Sequence, residues 1–436
     1  MPRRARYAVL LVCLCPPSSA SHEAAWSGEQ AAAHYHERLV AFQLDEAIPA
    51  ATYRGAGTAS FDPSGDGGGI GDVMQIVARE AQEALSAGCR YRSPHVAHGA
   101  AWRYAATAAR ADLCTVGDGW RCLFGDGFAA LPPSDPAWSR VPADATGRFD
   151  LPALRAECAA ADGLARHQLV LGGGDEESRN ERCAPARLLD AASGCGGEGG
   201  GAECAARRRA AASIAELVEH GDCSDADWVL AHLISLSWTL APRVAARVNA
   251  SVAAAARPLE AAGGKPLPYV GVHMRRGDAC KCLRGCCWSN KDGSGRSCPP
   301  VEEYVELAAD LAEAVGTRSV LVATEDPDDA ERGAALLRER GLTPLAQPWA
   351  RAAYSRATAA GSCADGGDAF TRIEDAMDRH AVDAEGMIIS AAADIELLAG
   401  ASGLVGGISL FTGLAVRLGA ARRGLHAPLI DVRSTA

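Results

Sequence analysis

Apolar residues recur along this chain with two different periods, and the change falls near Gly263-Gly264. Upstream the spacing is largely helical: His34 to Gln43, Asp72 to Leu85, and Asp225 to Ala256, the last broken at Pro242, where the ring removes an amide donor and crowds the preceding turn. Downstream, Tyr269 to Met274 predicts a short strand and Val301 to Val315 a helix whose Val301, Tyr304, Val305, Ala308, Leu311 and Val315 share one face. Ser319 to Thr324 predicts a strand and Asp328 to Arg340 a helix. The pattern continues as helix Ala391 to Ala401, strand Gly403 to Gly406, helix Ser409 to Ala420 and a last strand near Leu425 to Val432. Strands alternating with helices predict an α/β fold with a parallel sheet and right-handed crossovers, and such sheets bind ligands beyond the carboxyl ends of their strands. Three segments fall at such ends: His273 to Asp278, Thr324-Glu325-Asp326-Pro327, and Gly406 to Ser409.

The chain has 436 residues, which favours two domains with a cleft between them. We expect an N-terminal domain over 22–264 and a C-terminal parallel-sheet domain over 265–436. Within the first, Leu171 to Ala212 reads GGGDEESRNERC and then GCGGEGGGAECAARRRAAA, a low-complexity insertion with too little apolar surface to offset chain ordering. Much of the 48% hydrophobic content is alanine, so the core must come from scattered Leu, Val and Ile. The formal charge of -11 excludes a non-specific nucleic-acid binder, and a phosphate-bearing ligand would have to meet a local arginine cluster such as Arg275-Arg276.

The first 20 residues have the form of a signal peptide: Arg3, Arg4 and Arg6, an apolar run from Tyr7 to Cys15, then Ser18-Ser19-Ala20. The run is too short to span a bilayer, so no stable membrane span is expected, and the expected location is the secretory pathway, in the ER or Golgi lumen or outside the cell. Removing Cys13 and Cys15 leaves an even number of cysteines in an oxidising compartment, where disulfides are expected. Cys280, Cys282, Cys286, Cys287 and Cys298 could also be read as a zinc cluster, but the secretory context favours disulfides. Asn249-Ala250-Ser251 is a glycosylation sequon. Ser64-Gly65-Asp66-Gly67-Gly68-Gly69-Ile70-Gly71 precedes a helical pattern and is either a loop that brings backbone amides near a ligand or a flexible turn.

Arg276-Gly277-Asp278 is an adhesion tripeptide, which frames one reading of this chain as a secreted recognition module. The other reading starts from Arg275 and Arg276, whose side chains diverge in an extended or turning segment. One guanidinium can take a diphosphate while the other pairs with Asp278.

The segment YVGVHMRRGD resembles the VGVHVRR-x-D motif of the α-1,6-fucosyltransferases and their nodulation and O-fucosyltransferase relatives. Three further segments resemble that family in the same order: PPVEEYVELA at Pro299 to Ala308, SVLVATEDPDD at Ser319 to Asp329, and ADIELLAGASGLVGGISLFTGLAVRLG at Ala393 to Gly419. The resemblance implies a GT-B-like enzyme of two Rossmann-like domains that moves fucose from GDP-fucose to a glycan or glycoprotein acceptor, with inversion, without metal or other cofactor, α-1,6 to GlcNAc. It implies Arg275 on the diphosphate, His273 and Asp394 near the guanosine, Arg276 and Asp278 shaping the loop, and Tyr304, Asp326 and Ser409 lining or supporting the pocket. The chain departs from the family after Asp278. Relatives carry a lysine there and a glutamate as presumed base in the following loop, whereas this chain has Ala279-Cys280-Lys281-Cys282 and a cysteine-rich insertion. Asp292, the only carboxylate in that insertion before Glu302, is then the candidate base, with Asp278 as the fallback. A non-catalytic GDP-sugar- or glycan-binding relative and a protein O-fucosyltransferase are the alternatives.

Overall fold

The computed structural model describes residues 37, 50–53, 70, 71, 74, 75, 77, 78, 81, 90, 91, 122–124, 138–140, 168–171, 226–257, 268–275, 299–347, 383–407, 409–423 and 429–432. The expected signal peptide, the low-complexity insertion beyond Leu171, Arg276, Asp278, Asp292 and the Cys280–Cys298 cluster lie outside the described residues.

The C-terminal half is an α/β fold built on a five-stranded, all-parallel sheet. In chain order its elements are β5 (Val270–His273), α3 (Val301–Ala314), β6 (Ser319–Ala323), α4 (Pro327–Glu339), β7 (Thr343–Leu345), α5 (Ala384–Gly400), β8 (Gly403–Gly406), α6 (Leu410–Arg423) and β9 (Leu429–Asp431). Two helices precede them, α1 (Ala226–Ser237) and α2 (Pro242–Ala256). Strand order is β7-β6-β5-β8-β9. Both faces of the central strands are covered, which explains why they read as nearly continuous apolar runs. On one face Val270, Val272, Val320, Val322 and Val405 pack with Tyr304, Val305, Ala308 and Leu311 of α3 and Leu337 of α4. On the other, Leu321, Ala323 and Leu404 meet Leu397, Leu398 and Ala401 at the end of α5, Ala415 of α6 and Ala255 of α2.

Local chemistry places the helix starts. Asp326 caps α4 by accepting from the amides of Asp328 (2.9 Å) and Asp329 (3.1 Å), and Pro327 sits where a missing amide hydrogen costs nothing. Asp383 caps α5 through the Gly386 amide. That helix therefore begins seven residues before the expected Ala391, at a point where apolar spacing gave no signal. At its other end Arg423 of α6 donates to the carbonyls of Ala399 and Ala401, both at 2.8 Å, satisfying groups that a helix end leaves without partners. Glu396 of α5 accepts from Trp238, in the turn after α1, at 2.6 Å and from both terminal nitrogens of Arg422 of α6.

The largely helical reading of the N-terminal half is corrected by four strands: β1 (Ala50–Tyr53), β2 (Arg90–Tyr91), β3 (Trp138–Arg140) and β4 (Gln168–Leu171), which form a parallel sheet of order β2-β1-β4-β3. Each is too short to register a period of two. The helical reading holds for α1 and α2, whose break falls at Pro242, and for the described residues between 70 and 81, where Ile70, Met74, Val77, Ala78 and Ala81 are buried in a helical stripe. Cys122 is disulfide-bonded. Among the described residues no helix is long and apolar enough to cross a membrane, and no cluster of metal-ligating side chains is found.

Two predictions follow from this packing. A Cβ on Gly271 would lie 2.7 Å from Cδ2 of Leu404 and 2.9 Å from Cδ2 of Leu398, so Gly271→Val should lower the unfolding free energy by at least about 1–3 kcal/mol, measured by denaturant titration. The sequon is helical rather than in a surface loop: Asn249 lies within α2, and the Ser251 hydroxyl is hydrogen-bonded to Oε1 of Gln347 at 2.6 Å. Peptide mass spectrometry of the protein made in a glycosylating host should find Asn249 largely unmodified; full occupancy would contradict this.

Candidate functional site

The chain leaves β5 in one direction, through β6 to the edge strand β7, and then returns to lay β8 on the opposite side of β5. The direction of winding reverses between β5 and β8, and at such a reversal the flanking loops part and leave a crevice beyond the strand ends. Register puts His273 beside Gly406 on β8 and beside Ala323 on β6. The β5 end, the β6 end and the start of α6 therefore meet at one place.

His273 is the last residue of β5 and is buried. Its Nδ1 lies 2.7 Å from Oγ1 of Thr412 in the first turn of α6, and its ring stacks on Phe411 with centroids 4.9 Å apart. Gly406 allows this closeness, since a Cβ there would lie 2.9 Å from Cγ2 of Thr412. Burial, with a smaller push from the Arg275 charge, lowers the His273 pKa to about 3. The imidazole is therefore neutral at physiological pH, held by one hydrogen bond and one ring face.

Arg275, two residues on, has one-third of its side chain exposed (34%) and donates through Nη1 to Oε1 of Glu325 at 2.9 Å, while the glutamate is only 10% exposed. The more sheltered carboxylate thus anchors the more exposed guanidinium. A guanidinium carries five N–H donors in a planar fork, so it can hold a carboxylate and an oxyanion at once. Glu325 stands at the β6 end, directly before the helix cap Asp326, whose carboxylate is engaged with the α4 amides.

Tyr304 is buried in the sheet core near the start of α3, and its hydroxyl reaches the β8 end, where a Cβ on Gly407 would lie 3.4 Å from it. Ser409 stands at the start of α6, with its hydroxyl accepting from the Phe411 amide (3.2 Å) and its carbonyl from that of Gly413 (2.9 Å). Asp394 is buried on α5, about one turn before the residues that pack on the sheet. Because α5 runs back against β8, this places Asp394 on the carboxyl-end side of those residues. Of the residues expected in a site, His273 and Arg275 stand at the end of β5, Tyr304 is packed in the core with its hydroxyl near Gly407, Ser409 opens α6, and Asp326 caps α4 after β6. The structure adds two partners that sequence reasoning did not single out, Phe411 and Thr412, and pairs Arg275 with Glu325, which the sequence already places at a strand end. Thr412 and Phe411 lie in the turn after Ser409, but nothing in their spacing signals a partner 139 positions upstream.

No protein-family model matches the chain, and no curated protein matches it. Among solved structures the chain is similar to POFUT1 in complex with GDP-fucose in one crystal form, with TM-score 0.39 and 12% identity over 89% of this chain and 98% of that one. For a second crystal form of the same complex the TM-score is 0.39 and the identity 11%, over 89% and 99%. For POFUT1 in complex with GDP the TM-score is 0.28 and the identity 13%, over 49% of this chain and 53% of that one, about half its length. The functional reading rests instead on the residues of the crevice.

The neutral His273 gives a pH signature. In the unfolded chain this imidazole takes up a proton near its ordinary value of 6.5, whereas in the folded chain it resists until about 3. Its contribution is complete above the first value and is lost as pH falls toward the second. His273→Gln should flatten the acid limb of stability against pH, followed by thermal unfolding between pH 7 and pH 4; an unchanged limb would contradict the burial described here.

Proposed function

We propose that the chain is a GT-B-like glycosyltransferase that binds GDP-fucose in the β5–β8 crevice and transfers fucose with inversion. The observation that carries this reading is Arg275: an arginine anchored by a part-buried carboxylate at the switch point of a parallel sheet, inside a segment that resembles the fucosyltransferase arginine motif. In the reaction the acceptor oxygen attacks the anomeric carbon of fucose as the bond to the β-phosphate oxygen breaks. The acceptor proton passes to a carboxylate, for which Asp292 is proposed and Asp278 is the fallback. The departing GDP gains negative charge, which Arg275 and the amino end of α6 are suited to neutralise, Arg276 adding to the cluster. His273 and Asp394 are proposed near the guanosine, with Tyr304, Asp326 and Ser409 supporting the walls. The chemistry needs no metal in this scheme, because guanidinium and helix end take the place of a cation. The expected setting is the lumen of the secretory pathway.

For the acceptor, a protein serine or threonine hydroxyl is placed ahead of α-1,6 linkage to GlcNAc. The lysine and loop glutamate that the resemblance leads one to expect after Asp278 are both replaced here, and transfer to glycan and protein acceptors decides between the two.

The test is calorimetric binding of GDP-fucose, GDP-mannose and UDP-sugars to the full chain in chelator, followed by transfer to glycan and protein acceptors. GDP-fucose should bind selectively, and Arg275→Ala should cut kcat/KM by on the order of 10²–10³. Binding without transfer to any acceptor would favour a GDP-sugar-binding protein that has lost catalysis. Absence of GDP-fucose binding would overturn the reading.

A further inference from the structure

The first turn of α6, which carries both partners of His273, is itself held from far upstream in the chain. Gln75 is buried, its Nε2 donating to the Leu410 carbonyl at 2.9 Å and its Oε1 accepting from Nη1 of Arg417 at 3.0 Å. The two ends of a glutamine amide differ in character, one a donor and the other an acceptor, so this bridge fixes the orientation of the group and satisfies both ends. Two glycines make room for it. A Cβ on Gly71 would lie 2.9 Å from the Leu410 carbonyl carbon and the Phe411 nitrogen, and a Cβ on Gly413 would lie 3.3 Å from Nε2 of Gln75. A backbone approach that close, with an amide bridging one turn to the next, sets the position of residues 410–413.

We propose that Gln75 is a positioning residue for the nucleotide crevice, and that the Gly71–Gln75–Arg417 contact clasps the amino end of α6 so that Phe411 and Thr412 stay against His273. The carboxyl end of α6 is already fixed by Arg422 on Glu396 and by Arg423 on the end of α5. Gln75 supplies the matching restraint at the end that borders the crevice. Its consequence for ligand affinity rests on the GDP-fucose reading above, whereas its consequence for the helix start does not.

The experiment uses the full chain with two substitutions. Gln75→Glu keeps an acceptor for Arg417 but replaces the donor to Leu410 with an oxygen that repels the carbonyl, and Gln75→Met keeps the volume without either hydrogen bond. Two quantities are read: amide hydrogen exchange at Phe411 and Gly413 without ligand, and calorimetric GDP-fucose affinity. In both variants exchange should speed up at these amides while α3 and α4 stay protected, and GDP-fucose should bind about tenfold more weakly, a smaller loss than in Arg275→Ala. Unchanged exchange at these amides in a folded variant overturns the clasp, and faster exchange with unchanged affinity overturns its role in the crevice. If the wild-type chain binds no GDP-fucose, the donor reading falls with the role in the crevice, and the exchange data alone decide whether Gln75 holds the helix start.

Discussion

Strand β5 is buried on both faces and hydrogen-bonded along both edges, and the placement of the whole crevice follows from that confinement. A one-residue slip would turn Val270 and Val272 away from α3 and carry His273 to the opposite face, so the register against β6 and β8 is fixed by packing as much as by hydrogen bonds. Once it is fixed, the chain emerges at the strand end with His273 pointed to the α6 turn and Arg275 to Glu325. The reversal of winding beside this strand then leaves an opening where those side chains meet. The site is thus a by-product of sheet order, furnished with the particular residues that follow each strand.

The two basic residues at the β5 end take different charge states. Burial makes charging an imidazole costly, and the neighbouring guanidinium adds to the cost, so His273 stays neutral. Arg275 is charged by the intrinsic basicity of a guanidinium, and that charge is matched by the Glu325 carboxylate. One group offers a fixed hydrogen-bonding ring and the other a fixed positive fork.

Apart from β7 and the first seven residues of α5, the sheet half was legible in the sequence to within a few residues, because strands buried on both faces leave apolar runs and the covering helices leave apolar stripes. The four upstream strands were not legible. Arg90-Tyr91 and Trp138-Ser139-Arg140 are too short and too polar to stand out, and their identity comes from pairing alone. Strand β7 was missed because it contains Pro344, which an edge strand tolerates and an interior strand does not. The strand-end positions of His273 and Arg275 could be read directly. Their partners could not, since the Thr412 and Gln75 contacts span 139 and 335 positions and depend on close approaches that only small residues permit.

The pairing of Arg275 with Glu325 has a further side in the kinetics of encounter. An ion pair has little field at a distance, and the chain as a whole carries a formal charge of -11. A negatively charged ligand therefore approaches a surface that repels it at long range and meets the guanidinium only within a few ångströms. Electrostatic guidance, which raises association rates in many phosphate-binding sites, works against arrival here. Added salt would screen that repulsion, so for a ligand of that charge moderate ionic strength would ease the approach more than it weakens a contact at short range.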